Sequence, residues 1–490
     1  MGRSQKIVYG QNGVDKRESG YYATPPFIAE FIAAQTCAHS PNASSVFDPC
    51  VGAGELVLPF VQRGLKVEGI DISEYGVPDG ITFSQLDFLK YFAECSAPLL
   101  MQSSRYNHDI LVANPPYNCH EVEYIRRNRD LLQSTFPEIG IHNMYSMFIA
   151  ASIDLAKPNA VLAFITSDSF LTGRAHKPLR EKILNECSLH HLILCPTDLF
   201  QGEGADVRTC IIILQKGTHN QRKVKTCARS LSRFEFESVL RKRRFADRDL
   251  SEIVLNGKAD ANEFIVNMSS ELRAFFASPR ISDTFRCLTG ISTGNDASYL
   301  SPLKSGNFSV PFYKNPASKR FFALPNSYLV QDFLEIAKTN KNFMIRNREY
   351  LYREGITCSS MGVAFGACRL PPGATYGVNA SIFTDDVQDQ WRLLAYLNSY
   401  LVTYFVRGVL NRSNMITSGY VSRIPVPKMS ASTISALGDI ARSAVADKVG
   451  SQEAQQYVTR INTLLAKELG LSDDAQRFLS TFAQTVVRAA

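Results

Sequence analysis

The stretch Asp109-Ile-Leu-Val-Ala-Asn-Pro-Pro-Tyr117 sets an amide, two imino acids and a phenol at the end of an apolar run. Two successive prolines fix an extended backbone and remove two N–H donors. The side-chain oxygen of Asn114 and the carbonyl of Pro115 are then left as acceptors, with Pro116 stiffening the chain behind them. A planar amino group carries two donors, and this pair would hold both of them. Tyr117 supplies a ring face on which a flat substrate can stack.

A second set lies upstream. Val46-Phe-Asp-Pro-Cys-Val-Gly-Ala-Gly-Glu-Leu56 runs from an apolar strand through Asp48 and Pro49 into a Gly52-x-Gly54 turn and then a helix. Glycines let the backbone approach a ligand, and a helix start points free N–H groups at it. Val57 stands where a third glycine would complete the dinucleotide fingerprint, which disfavours NAD. A lone Gly-x-Gly is also an ordinary turn. Asp71, in the strand Lys66–Ile72 and 23 residues after Asp48, adds a carboxylate where Rossmann-like sheets grip ribose hydroxyls. Asp87-Phe88 follows sixteen residues later, placed to meet an adenine ring. Any one of these acids could be a surface carboxylate, but three at successive strand ends converge on one crevice.

Taken in order, Asp48-Pro-Cys-Val-Gly-Ala-Gly54, Gly69-Ile-Asp71-Ile72, Asp87-Phe88 and Asn114-Pro-Pro-Tyr117 resemble the motifs of S-adenosylmethionine-dependent amino methyltransferases. Gly20-Tyr-Tyr-Ala-Thr-Pro-Pro26 resembles the cofactor-contacting motif that precedes the sheet in gamma-class, TaqI-like DNA adenine-N6 methyltransferases. The resemblance implies that Tyr22, Thr24, Pro25, Asp48, Pro49, Gly52, Gly54, Asp71, Ile72, Asp87, Phe88 and Asn114 contact S-adenosylmethionine. It implies a flipped adenine whose amino group bonds Asn114 and Pro115, with Tyr117 on one face and Phe200 on the other. Direct transfer of this kind uses no metal and no covalent intermediate. Cys119, near the motif, is read as a packing residue, since nothing beside it would lower its pKa. The implied partner is double-stranded DNA, with a separate cognate restriction endonuclease left open. Looser likenesses to a target-recognition region continue in Gly290–Asp296, Tyr352–Thr357, Leu393–Tyr404 and Ile424–Pro427.

The same Asn-Pro-Pro-Tyr signature serves enzymes that methylate RNA adenine or protein glutamine. The roughly 270 residues after the catalytic motifs, beside a basic junction, fit recognition of a long polymer better. A fused magnesium nuclease is not expected, because Asp332…Glu335-Ile-Ala-Lys338 has the wrong acid-to-lysine spacing.

Such residues need strands to deliver them. Strand candidates are Ser45–Asp48, Lys66–Ile72, Asp109–Ala113, Ala160–Thr166, His191–Cys195 and Thr209–Leu214. Helical patterns such as Pro26–Ala34, Glu55–Arg63, Met144–Ala156 and Lys177–Glu186 lie between them. The expected fold is α/β: a doubly wound Rossmann-like sheet of the class I methyltransferase type, then a mixed α/β target-recognition domain and a helical tail. The expected boundaries are a flexible N-terminus over 1–18, a catalytic domain over 19–217, a basic linker over 218–249, recognition over 250–430 and helices over 431–490. Gln390–Val406 reads as one helix.

Composition sets the outer limits. With 490 residues, 45% hydrophobic and 20% charged, the chain can bury a large core, which excludes disordered, collagen-like and coiled-coil classes. No apolar run reaches the length that spans a bilayer, and Met1–Gly10 lacks a signal-peptide core, so a cytoplasmic protein is expected, and the resemblance implies a prokaryotic or phage origin. The eleven cysteines contain no CxxC pair and match no zinc spacing, which suits free thiols and no metal. Net charge is +7, yet Lys216–Arg248 alone holds eleven Lys/Arg against three acids. That run can neutralise phosphates or simply be a solvated face.

Overall fold

The computed structural model describes residues 22–95, 107–117, 122–200, 208–217, 223–316, 319–361, 365–412 and 415–489. They form two compact units. The first takes in the described residues up to Asn256 with Ala261–Asn267, and the second Gly257–Asp260 with Met268 onward.

The first unit is built on a nine-stranded sheet of order β3-β2-β1-β4-β5-β7-β6-β8-β9. In chain order these are Ser45–Asp48, Lys66–Asp71, Ile81–Gln85, Ile110–Ala113, Val161–Ser167, Cys187–Leu194, Thr209–Lys216, Lys223–Cys227 and Ala246–Asp249. β3, β2, β1, β4 and β5 run parallel, whereas β7 lies antiparallel between β5 and β6. Alternation of side chains assigns each strand's residues to two apolar layers. Ile110 and Val112 pack in one cluster with helix α1 (Pro26–His39), and Leu111 and Ala113 in another with Met144–Leu155. Each of these four is at most 1% exposed, and each large side chain so buried contributes about 1.5–3 kcal/mol. The sheet is therefore fixed on both faces. The order reverses at β1 and β4, whose carboxyl ends open the crevice where such sheets take ligands.

Several expectations shift. The expected linker over 218–249 is instead partly sheet: β8 and β9 extend its edge, and Arg233–Arg241 forms a helix. Lys223-Val-Lys-Thr buries Val224 and Thr226 while its lysines face outward, pairing with Asp249 and Asp247 across the two strands. A strand near the sheet's edge with alternate charges carries the composition of a linker. The division between units falls near 256–268, a little beyond the boundary expected at 250. β3 is an additional strand, half exposed along its length.

The second unit holds small sheets, two of them four-stranded, followed by helices Ala431–Ala446, Ala454–Glu468 and Asp473–Ala489. The single helix expected over Gln390–Val406 is instead two, Val387–Leu397 and Tyr400–Leu410, bent by 66°. Asn398 causes the break. Its amide donates to the Ala367 carbonyl, and the Ser399 hydroxyl then caps the next turn. Among the described residues no single helix is long and apolar enough to cross a membrane.

Candidate active site

Asn114 follows β4 directly, at the crevice. Its Nδ2 donates to the Tyr22 carbonyl at 2.8 Å and to the Thr24 hydroxyl at 3.1 Å. Both amide protons are thereby used, and Oδ1 is left as the group aimed elsewhere. That oxygen accepts a 2.5 Å hydrogen bond from the Tyr117 hydroxyl. Pro115 is buried behind it, and the half-buried Pro116 leads into Tyr117.

Three aromatic rings gather there. Tyr22 stacks on Tyr117 with centroids 5.5 Å apart and planes at 13°, and Phe200 lies 5.9 Å from the first and 6.1 Å from the second. Tyr117 is 8% exposed and Phe200 1%. Phe200 reaches this place through the segment after β6, which is tied at Cys195 and at Asp198. Arg229 donates to the Cys195 carbonyl while pairing with buried Asp168, and Asp198 accepts the Arg233 N–H at 3.2 Å. Sequence reasoning missed these ties, which join residues far apart in the chain.

The upstream half lies beside it. Asp48 ends β1 with 1% exposure, and its Oδ1 accepts the Cys50 N–H at 2.9 Å. Burial pushes its carboxyl up to about 8 against that hydrogen bond, with nearby Asp71 adding to the rise. Burial likewise holds the Cys50 thiol well above its ordinary range, although the Asn114 backbone N–H bonds it. Cys50 is thus a neutral thiol rather than a nucleophile. Pro49 and Pro25 are buried alongside, Pro25 preceding the first turn of α1.

Asp71 holds the glycine loop. Its Oδ2 accepts the Gly52 N–H and its Oδ1 the Ser73 N–H, each at 3.0 Å, and burial raises its pKa despite both bonds. Gly54 has φ +87°, and a Cβ there would stand 2.8 Å from Ile81 Cδ1. A side chain is excluded on conformation and on space together. Ile72, 56% exposed, is an apolar side chain left open at the end of β2.

Asp87 accepts the Tyr124 hydroxyl at 2.8 and 3.0 Å on its two oxygens. Phe88 follows Asp87 directly, at the start of the helix Phe88–Cys95. It is 2% exposed and packs on Phe148 at 5.1 Å within the core, because its helix turns that face inward. Cys119 lies outside the described residues. Among them, no group of three His, Cys, Asp or Glu is placed to hold a metal ion.

A central strand order of 3-2-1-4-5-7-6 with β7 reversed, and acids at the ends of β1 and β2, defines the class: a class I methyltransferase fold. Residues 79–200, which hold Asp87, Asn114–Tyr117 and Phe200, match the family described as Eco57I restriction-modification methylase. The chain is 27% identical over 231 residues to the type II methyltransferase M.BsuBI of Bacillus subtilis, covering 42% of this chain and 45% of that one. Identity to the type II methyltransferase M.PstI of Providencia stuartii is 31% over 207 residues, covering 40% and 38%. The matched region thus spans less than half the length of either relative. In fold, the chain resembles a nuclease-deletion mutant of the Type ISP restriction-modification enzyme LlaGI in complex with a DNA substrate mimic. The TM-score is 0.58 at 12% identity, covering 88% of this chain and 55% of that one.

Proposed function

We propose that this chain is a modification methyltransferase of the TaqI-like gamma class, transferring a methyl group from S-adenosylmethionine to the N6 amino group of adenine in duplex DNA. The observation that carries the reading is the state of Asn114. Both of its amide protons are spent on Tyr22 and Thr24, so its oxygen is committed to accepting from whatever enters the crevice. The N-terminal segment that spends them is the one whose motif resembles that class.

The residues fit the cofactor. Gly52 and Gly54, at φ +55° and +87°, make the tight turn after β1, Asp48 and Asp71 give acceptors, and Ile72 gives an apolar surface. Tyr22, Thr24, Pro25, Pro49 and Asp87 border the same crevice in this reading, with Phe88 supporting it from the core. S-adenosylmethionine supplies, when bound, an electrophilic methyl group on sulfur. The rest falls to the protein. The adenine leaves the duplex at a cost of a few kcal/mol. Asn114 Oδ1 and the Pro115 carbonyl accept hydrogen bonds from its two amino N–H groups, which favours a nitrogen turning tetrahedral as it attacks; the thioether leaves, and one amino proton is then released to solvent. Tyr117 and Phe200 cover the two ring faces, and the buried crevice keeps water out.

The test is labelled methyl transfer to duplex DNA, RNA and protein offered in parallel, with digestion of the product. N6-methyladenine from duplex DNA is the expected result. Label confined to RNA, or to glutamine in protein, overturns the DNA reading while keeping the amino-group chemistry.

A further inference from the structure

The second unit holds a cavity of about 520 Å³ beside the helix Phe333–Thr339. Lys338, Lys341, Arg346 and Arg348 line it, with Phe343 and Met344 among its apolar residues and no acid in its wall. Lys338 is paired with Glu335 at 2.8 Å. Lys341, Arg346 and Arg348 have no carboxylate partner among the described residues. Three exposed cations gathered around one groove repel each other unless an anion lies between them.

The groove is built. Met344–Ile345 pairs antiparallel with Ile291–Ser292, and the Asn347 amide donates to the Thr289 carbonyl at 2.8 Å. Gly294 has φ +68°, and a Cβ there would stand 2.6 Å from the Asn342 carbonyl oxygen. Only glycine lets the two chains come so close. Asn340 caps the turn from within, accepting the Asn342 N–H at 2.9 Å and donating to the Tyr299 hydroxyl at 3.0 Å. The segment Gly290–Asp296 therefore acts as a backing that holds the cations in place, and its glycines answer to packing.

We propose that this groove seats the phosphodiester backbone of duplex DNA through Lys341, Arg346 and Arg348, positioning the duplex without reading its sequence. The identity of the polyanion rests on the function proposed above. Contacts of this kind fix register and orientation and weaken with salt. Arginines suit phosphate oxygens by their planar fork, and the apolar residues between them carry no negative charge to oppose it.

The experiment compares the full chain with K341Q/R346Q/R348Q and with a control of equal charge loss, R460Q/K467Q/R477Q, on the C-terminal helices. Binding to a labelled duplex is followed by anisotropy over roughly 50 to 200 mM salt, where each phosphate contact contributes about 0.9 to the slope of log K against log salt. The groove variant should bind at least about tenfold more weakly on every duplex sequence, with a slope smaller by about two to three. The control should change by less, and both should keep the wild-type affinity for S-adenosylmethionine. A groove variant that behaves like the control overturns the inference and leaves the methyltransferase reading intact. Wild-type protein that methylates no duplex DNA, or binds RNA in preference, overturns the reading, and the inference with it.

Discussion

The Tyr117 hydroxyl donates to Asn114 Oδ1 at 2.5 Å, so the stacking residue of the motif occupies the acceptor that an incoming amino group would use. The two residues share one strand end, and the ring is held inward by its stack on Tyr22. In the proposed reaction a base reaching Asn114 competes with this hydroxyl for the oxygen, and the ring it loosens is the one that would then cover the base.

Tyr117→Phe keeps the ring and removes the donor. A net hydrogen bond of roughly 0.5–1.5 kcal/mol is no longer broken on substrate entry. KM for duplex DNA should fall by about two- to tenfold with kcat retained, while Tyr117→Ala should lose turnover. Steady-state methyl transfer by both variants decides this, and a phenylalanine variant with raised KM would exclude the competition.

Asn114→Ala removes the acceptor itself. Turnover should fall by at least about 10²-fold, the scale for losing one preorganised hydrogen-bonding group. Affinity for S-adenosylmethionine, measured by calorimetry, should persist. Unchanged turnover would remove the role given to Asn114.

Thr24 positions the amide, since its hydroxyl accepts from Asn114 Nδ2. Thr24→Val should lower kcat by about tenfold, because the Tyr22 carbonyl alone still holds Nδ2. Thr24→Ser should restore it, a rescue that loss of packing alone would not give.

Asp48 gives a pH dependence. Its carboxyl titrates near 8 in the fold against an ordinary 3.8, so between these values the folded chain keeps a proton that the unfolded chain has released. The folded state binds more protons there, so this group's contribution is whole below about pH 4 and is lost as pH rises toward 8. Asp48→Asn keeps an oxygen for the Cys50 N–H and cannot titrate. Urea unfolding at a series of pH values should show the wild type losing up to roughly 1.4 kcal/mol per pH unit relative to the variant. Parallel curves would show that Asp48 is ionised in the fold.

Much of the site was legible in local order. Ile110–Ala113 is a fully buried strand, and so Asn114 had to emerge at a strand end. Asp48 and Asp71 follow from the same logic, because a strand that is apolar to its last residues delivers the next polar one to the sheet's edge. Where local pattern and tertiary need conflicted, reading failed. Lys223–Cys227 looks like linker because its lysines dominate, yet alternate burial makes it the strand next to the sheet's edge.

The sequence by itself determined which side chains are candidates for chemistry and that strands present them, since burial periodicity and proline geometry act within a few residues. Only the tertiary structure decided that Tyr22, Tyr117 and Phe200 share one cluster, that Thr24 and Tyr22 consume the Asn114 amide protons, and that the Tyr117 hydroxyl turns inward. These relations depend on strand order and on loops tied by Arg229 and Asp198, contacts between residues distant in the chain. No periodicity along the chain encodes them, because their geometry exists only once the sheet has closed its long-range pairings.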